Sequence, residues 1–242
     1  VDLLWARYHL ADAAGRKELV QAVEAAGKLI QNDPRLPELE ARLATDAGDV
    51  EGARAKLEAA LAKTPAYVRG LYALGVLEAK AGKLDRAHEH LVRALAINGV
   101  HTSSLLALTQ LRLRQNKDLD RAAEDASKVL ALPQVTDRDK AEAHRLLARL
   151  SFMEGKRSKA LAQVKSAADL LTEDRAAQEA LARLCLDFNE LDEASARAQR
   201  MLEMDSEDVE ARLLQVGALL PRGRAGEGLQ KLSELEGKKV PA

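Results

Sequence analysis

One phrase recurs along this chain at a fixed step. It is clearest from Gly75-Val76-Leu77-Glu78 through Gly82-Lys83-Leu84-Asp85-Arg86-Ala87 and closes at Ala94-Leu95. Gly48 to Gly82, Ala53 to Ala87 and Ala60 to Ala94 are each 34 residues apart, as are Ala160 to Ala194 and Ala194 to Gly228. A constant step of this size predicts stacked helical units, each burying its apolar face only against its neighbours. Such an array has no central core, so the 242 residues count repeats rather than enlarge one domain.

Composition supports helices and nothing else. The chain is rich in Ala, Leu, Glu, Lys and Arg, all strong helix formers, and carries only six Pro. Aromatic residues make up 2%, too few for a β-sandwich core, and no window alternates as a strand would. The 37 basic residues nearly balance 38 acidic ones for a net charge of -1. A nucleic-acid module carries a basic excess, so this balance argues against one.

The lone Cys185 can form neither an intrachain disulfide nor a cysteine cluster for zinc, and its helical, apolar surroundings point to a buried, inert thiol. No run approaches the roughly 20 apolar residues of a membrane span. The chain starts at Val1 in mid-pattern with no charged-then-apolar leader. The expectation is a fragment of a longer protein. It favours the cytoplasm and leaves the periplasm open if a leader lies upstream.

Read as helix A, turn, helix B, the clearest unit runs from Val68 to His101. Leu71, Leu74, Gly75 and Glu78 lie on helix A; Ala87, Leu91, Ala94 and Leu95 form one apolar stripe on helix B. This pattern resembles the tetratricopeptide repeat family, which places Leu-Gly in mid helix A, Gly at the turn, and small residues down helix B. Gly75 and Ala87 are small where the two helices of a unit cross. The resemblance implies an all-α fold, a right-handed superhelical solenoid of tandem helix-turn-helix repeats with thirteen or fourteen helices and no sheet. It covers nearly the whole chain: an irregular first unit at 1–33, units at about 34–67, 68–101, 102–135, 140–174, 175–208 and 209–236, and a tail at 237–242. Turns are expected near Gly48, Gly82, Asn116, Gly155, Asn189 and Gly223.

Several departures from the pattern are legible. The turn at Gln115 to Asp120 is one residue longer, and Pro133 to Asp139 reads as an extended loop, with Thr136 or Asp137 able to cap the next helix. In the first unit Ala22, Ala26, Leu29 and Ile30 match helix B, while Trp5 and Tyr8 fall off the helix A register. Leu220-Pro221 must break the last helix A.

Chemistry-bearing motifs are weak. Gly223, Gly226 and Gly228 have neither the preceding strand nor the spacing of a dinucleotide fingerprint. Gly155-Lys156-Arg157-Ser158 lacks the earlier glycine of a phosphate loop, Leu150 standing there. His88 and His90 point about 200° apart around one helix and cannot share a metal ion. The expectation is a protein that is no enzyme and carries no cofactor and no metal site.

What remains is surface. The resemblance implies that helix A lines a concave groove through positions 2, 5, 9, 12 and 13 of each unit. Those positions hold Arg69, Tyr72, Val76, Ala79 and Lys80; then Ser103, Leu106, Gln110, Leu113 and Arg114; then Glu142, Arg145, Arg149, Phe152 and Met153; then Ala176, Glu179, Arg183, Leu186 and Asp187. The partner site is therefore placed at Arg69, Tyr72, Lys80, Gln110, Arg114, Arg145, Arg149, Phe152 and Arg183, since Arg and aromatics dominate binding hot spots. The outer face of helix B, with Glu193, Arg197, Arg200 and Glu203, reads as mixed and solvated. Position 9 holds Arg42, Val76, Gln110, Arg149 and Arg183, and the Asn pair that grips chaperone C-termini is missing, which argues against a chaperone carboxylate clamp.

These residues point to a protein–protein interaction scaffold with an acidic partner: a peptide segment, a small GTPase or an assembly component. The Ala, Leu and Arg bias suggests a bacterial source, where relatives of this kind serve pilus, secretion, motility or polarity assemblies. The alternative is a helical-repeat protein that binds single-stranded RNA.

Overall fold

A computed structural model describes residues 1–30 and 33–233. Among these residues the chain is helical, with no strand. The helices come in consecutive pairs: α1 (Asp2–Leu10) with α2 (Ala13–Leu29), α3 (Arg35–Asp46) with α4 (Val50–Lys63), and α5 (Val68–Lys80) with α6 (Leu84–Ile97). Next come α7 (Thr102–Gln115) with α8 (Leu119–Ala131), and α9 (Asp137–Met153) with α10 (Arg157–Leu170). The last are α11 (Arg175–Asp187) with α12 (Leu191–Met204), and α13 (Val209–Leu219) with α14 (Ala225–Ser233), the final pair joined through a 3₁₀ turn at Leu220–Arg222. The tail assigned to 237–242 and the end of the last repeat lie outside the described residues. The chain forms two compact units, Val1–Asp125 and Ala126–Ala242, each described below by itself.

Every anticipated turn contains the residue expected to make it. Gly48, Gly82, Gly155 and Gly223 adopt φ between 72° and 83°, and Asn116 and Asn189 reach 52° and 60° in the same left-handed region. Glycine enters that region without steric cost, and Asn tolerates it. In each turn the next residue's N–H donates to the carbonyl five residues back: Asp49 to Ala44, Lys83 to Glu78, Lys117 to Arg112, Lys156 to Ser151, Glu190 to Cys185 and Arg224 to Leu219. This is the hydrogen bond that closes a Schellman motif and satisfies an orphaned helix-end carbonyl. The longer turn after α7 adds a second left-handed residue, Asp118.

Burial follows the helix B stripe. Ala53, Leu57 and Ala60 are buried, as are Ala87, Leu91 and Ala94, and in the second unit Ala194, Ala198 and Met201. Core clusters draw on successive helices: Ala41, Ala53, Leu57, Leu74 and Leu77 join α3, α4 and α5, and Ala87, Leu91, Leu108 and Leu111 join α6 and α7. A helices also touch each other, α3 with α5, α5 with α7, and α11 with α13. Gly75 is required by the closeness of α5 and α6, because a Cβ there would lie 2.8 Å from Leu91 Cγ and 3.3 Å from the Ala87 carbonyl oxygen.

Several polar groups buried at the helix contacts are paired. Arg54 of α4 donates from Nε to Glu78 of α5 at 2.7 Å, in a site where Glu78 is almost wholly enclosed. Arg112 of α7 pairs with Asp125 of α8, and Gln178 Nε2 donates to the carbonyls of Ala168 and Leu171 at 2.9 and 3.1 Å. Arg197 corrects an expectation here. Its side chain is only 12% exposed and bridges Asp169 of α10 at 2.7 Å and Glu193 of α12 at 2.5 Å. It is a structural ion pair rather than a solvated outer charge, because α10 packs close enough to supply the second carboxylate.

Other expectations shift for similar reasons. Leu106 and Leu113 were placed on the open face of helix A, yet both are buried, Leu113 to 3% exposure. In α2 the buried positions are Leu19 and Val23, while Leu29 and Ile30 at the helix end are exposed. Trp5 and Tyr8, off register for a repeat, pack with Leu19 and Val23 and with Leu36, Leu39 and Leu43 of α3. The fifth pair starts earlier than expected: Thr136 accepts from the Asp139 N–H at 3.1 Å and caps α9 at Asp137, three residues before Lys140. Leu220-Pro221 ends α13 as anticipated.

Candidate functional site

Each unit presents a cavity on its helix A side. In the first unit α1, α3 and α5, with Arg16 of α2 and Leu57 of α4, line a cavity of about 400 Å³. Trp5 and Tyr8 come from α1; Arg42 and Asp46 from α3; Arg69, Tyr72, Val76 and Lys80 from α5. Of the predicted site residues, Arg69, Tyr72 and Lys80 are therefore brought together. The Arg69 guanidinium lies 5.2 Å from the Trp5 ring centroid and pairs with Glu38 at 3.0 Å. Tyr72 packs edge-on against His101 with centroids 5.7 Å apart. Burial, helped by the positive charge of Arg69, holds the His101 pKa below its ordinary value.

Gln110 and Arg114 are exposed but lie outside this cavity. Arg114 Nη1 donates to the Ala79 carbonyl at 3.0 Å, a contact that ties α7 to the C-terminal turn of α5 and suits the negative end of that helix.

In the second unit α9, α10 and α11 enclose about 370 Å³. Its lining is mostly apolar, including Ala148, Val164, Ala177 and Leu184, and it also holds Arg145, Arg149, Phe152 and one carboxylate, Asp174. Phe152 is 39% exposed, and its ring lies 5.6 Å from that of Phe188. Arg145 meets only Glu142 of its own helix, at 3.4 Å, and Arg149 has no ion pair or hydrogen bond among the described residues. Arg183 does not line this cavity. It is taken up by Glu179 at 3.0 Å and by Glu210 of α13 at 2.7 Å.

Sequence reasoning left Trp5, Tyr8 and Arg42 out of the site. Arg42 carried a signal, since it occupies the same repeat position as Arg149 and Arg183; Trp5 and Tyr8 carried none, because α1 does not keep the repeat register. Cys185 is buried, and desolvation pushes its thiol up to about 11, which makes it a poor nucleophile. Among the described residues no His, Cys, Asp and Glu group could hold a metal ion, and no helix is long and apolar enough to cross a membrane.

Helix pairs with shared cores and open, charged helix A faces define a tandem-repeat interaction fold. Residues 39–99 match the family model of the tetratricopeptide repeat. Curated proteins offer no match to the sequence. Among solved structures, PilW, titled a widely conserved type IV pilus biogenesis factor, superposes with a TM-score of 0.66 at 18% identity, covering 85% of this chain and 93% of that one. A chain of the APC/C hetero-tetramer Cut9–Hcn1 gives 0.66 at 16% identity over 84% of this chain, which spans only 40% of that longer one. YrrB, titled a tetratricopeptide-repeat protein with an unusual peptide-binding site, gives 0.56 at 15% identity over 74% and 89%. The chain shares the fold of tetratricopeptide-repeat proteins, and its fourteen described α-helices fit about seven repeats. That fold is one that mediates protein–protein interaction.

Proposed function

We propose that this protein is a non-enzymatic scaffold that binds an acidic segment of a partner protein on the helix A faces of its repeats. The observation that carries this reading is the lining of the second unit's cavity. There Arg149 has no ion pair or hydrogen bond among the described residues and Arg145 is only loosely held, beside an exposed Phe152 and a mostly apolar lining. An unpaired guanidinium offers planar, multiply donating contacts to a carboxylate, and the aromatic ring beside it supplies buried area. Arg69, Tyr72, Lys80, Gln110 and Arg114 on the first unit, and Arg183 on the second, are proposed as further contacts. A place in a bacterial pilus, secretion, motility or polarity assembly is consistent with the fold shared with PilW, and belongs to this proposal.

Calorimetric titration with blocked glutamate–leucine peptides, against lysine–leucine counterparts, tests it. Reversing Arg145 and Arg149 to Glu should weaken glutamate-peptide binding at least tenfold while the helical circular dichroism is unchanged, because like charges then face each other. Arg200→Glu, on an exposed position outside both cavities, should do little. Loss with Arg200→Glu and retention with the double reversal would move the docking face to helix B.

A further inference from the structure

The first unit's cavity carries more positive charge than its own acids can neutralise. Its lining includes four permanent cations, Arg16, Arg42, Arg69 and Lys80, against two carboxylates, Glu38 and Asp46. Arg16 pairs with Asp46 at 2.9 Å and Arg69 with Glu38 at 3.0 Å, so both acids are already engaged. Lys80 has no ion pair or hydrogen bond among the described residues. Arg42 donates from Nε to the Tyr8 hydroxyl at 2.9 Å, and that hydroxyl donates onward to Asp46 at 2.7 Å. The phenol thus orients the Arg42 guanidinium with a neutral oxygen, and its two Nη groups make no ion pair or hydrogen bond among the described residues.

We infer that this cavity is a subsite for a side-chain carboxylate of the partner protein, held by Arg42 and Lys80, with the partner's adjoining apolar side chain against Ala73 and Val76. The inference rests on the proposed scaffold function but concerns the other unit. A guanidinium with two free N–H edges matches a carboxylate in bidentate geometry, and a lysine adds a point charge. The apolar lining from Ala41, Ala73, Val76 and Leu77 suits a side chain rather than a solvated ion. Glu38 and Asp46 in the same wall disfavour the dense negative charge of a phosphate backbone. Because α1 supplies Tyr8, the irregular first helix builds this subsite rather than merely ending the array.

Trp5 is the single tryptophan of the chain and lies in the cavity wall, so its emission reports occupancy directly. A blocked nonapeptide with Glu-Leu-Glu at its centre and no aromatic residue should change Trp5 emission saturably, and its lysine counterpart should not. Lys80→Gln, which removes an exposed group with no internal partner, should weaken this response tenfold or more, as should Arg42→Gln. Arg145→Glu with Arg149→Glu should leave the Trp5 response intact. If the glutamate peptide leaves Trp5 emission unchanged, yet calorimetry shows binding that the second-unit reversal abolishes, the subsite is overturned and the scaffold reading stands. Absence of both signals overturns both. A response to poly(U) in place of the glutamate peptide overturns the carboxylate assignment in favour of nucleic acid.

Discussion

At Gly75 two opposing effects can be weighed. Alanine in a helix interior gains roughly 1 kcal/mol of propensity over glycine. Here the new Cβ would sit 2.8 Å from Leu91 Cγ and press on the Ala87 carbonyl, neither of which is a loose side-chain end. Overpacking of this kind costs about 1–3 kcal/mol, so Gly75→Ala should lower the urea midpoint. Ala87→Leu or Ala94→Leu should do the same by that mechanism, since both are wholly buried on the α6 stripe. Gly226 in α14 is the opposite case: nothing lies within 4 Å of where an added Cβ would sit, so Gly226→Ala should be neutral or stabilising by up to about 1 kcal/mol. At Glu78 a different penalty dominates. Glu78→Ala would leave Arg54 buried with only Glu51 at the rim, and breaking a buried pair from one side costs about 3–5 kcal/mol.

Single elements are held by their ends. Thr136 caps α9 through the Asp139 N–H, and Thr136→Ala should cost about 1 kcal/mol in thermal unfolding. Asp208 has two duties: it accepts from the Ala211 N–H to cap α13 and takes two hydrogen bonds from Arg175 of α11, at 2.5 and 3.0 Å. Burial works to raise its pKa, but those donors outweigh it and hold the carboxyl below the usual carboxylate range. A carboxyl depressed in the folded state contributes stability that is fully present above its unfolded pKa of about 4 and is lost as pH falls through the folded value. Asp208→Asn should therefore lower stability at pH 7 and flatten the acid limb of a melting-temperature profile between about pH 2 and pH 5. An unchanged acid limb would remove Asp208 from the account.

At the scale of the whole molecule, neighbour-only packing predicts unfolding that is local in its response. The chain carries one reporter for each unit: Trp5 in the first, and in the second Cys185, whose buried thiol should react with Ellman's reagent only when the fold opens. Urea unfolding followed by Trp5 emission and by Cys185 reactivity should respond differently to Gly75→Ala, with the Trp5 midpoint falling further. Equal shifts in both probes would mean that the molecule unfolds as one cooperative body.

The sequence by itself determined the helix pairs, their turns and the burial stripe of helix B. Those features are local: a left-handed turn selects Gly or Asn, and a close crossing selects Gly75 and Ala87, so each leaves its mark on residue type at a fixed spacing. The same spacing brought Arg69, Tyr72 and Lys80 to one cavity and Arg145, Arg149 and Phe152 to another. Only the tertiary structure decided which charges are free. Arg183 and Arg197 read from the sequence as exposed cations, but carboxylates on neighbouring helices consume them, whereas Arg149 and Lys80 at equally ordinary positions meet none among the described residues. Pairing depends on which side chains approach across helices, a property of distance in space that a repeat period does not carry. The contribution of α1 escaped for the same reason, since Trp5 and Tyr8 break the register and gain their place only by packing against α3.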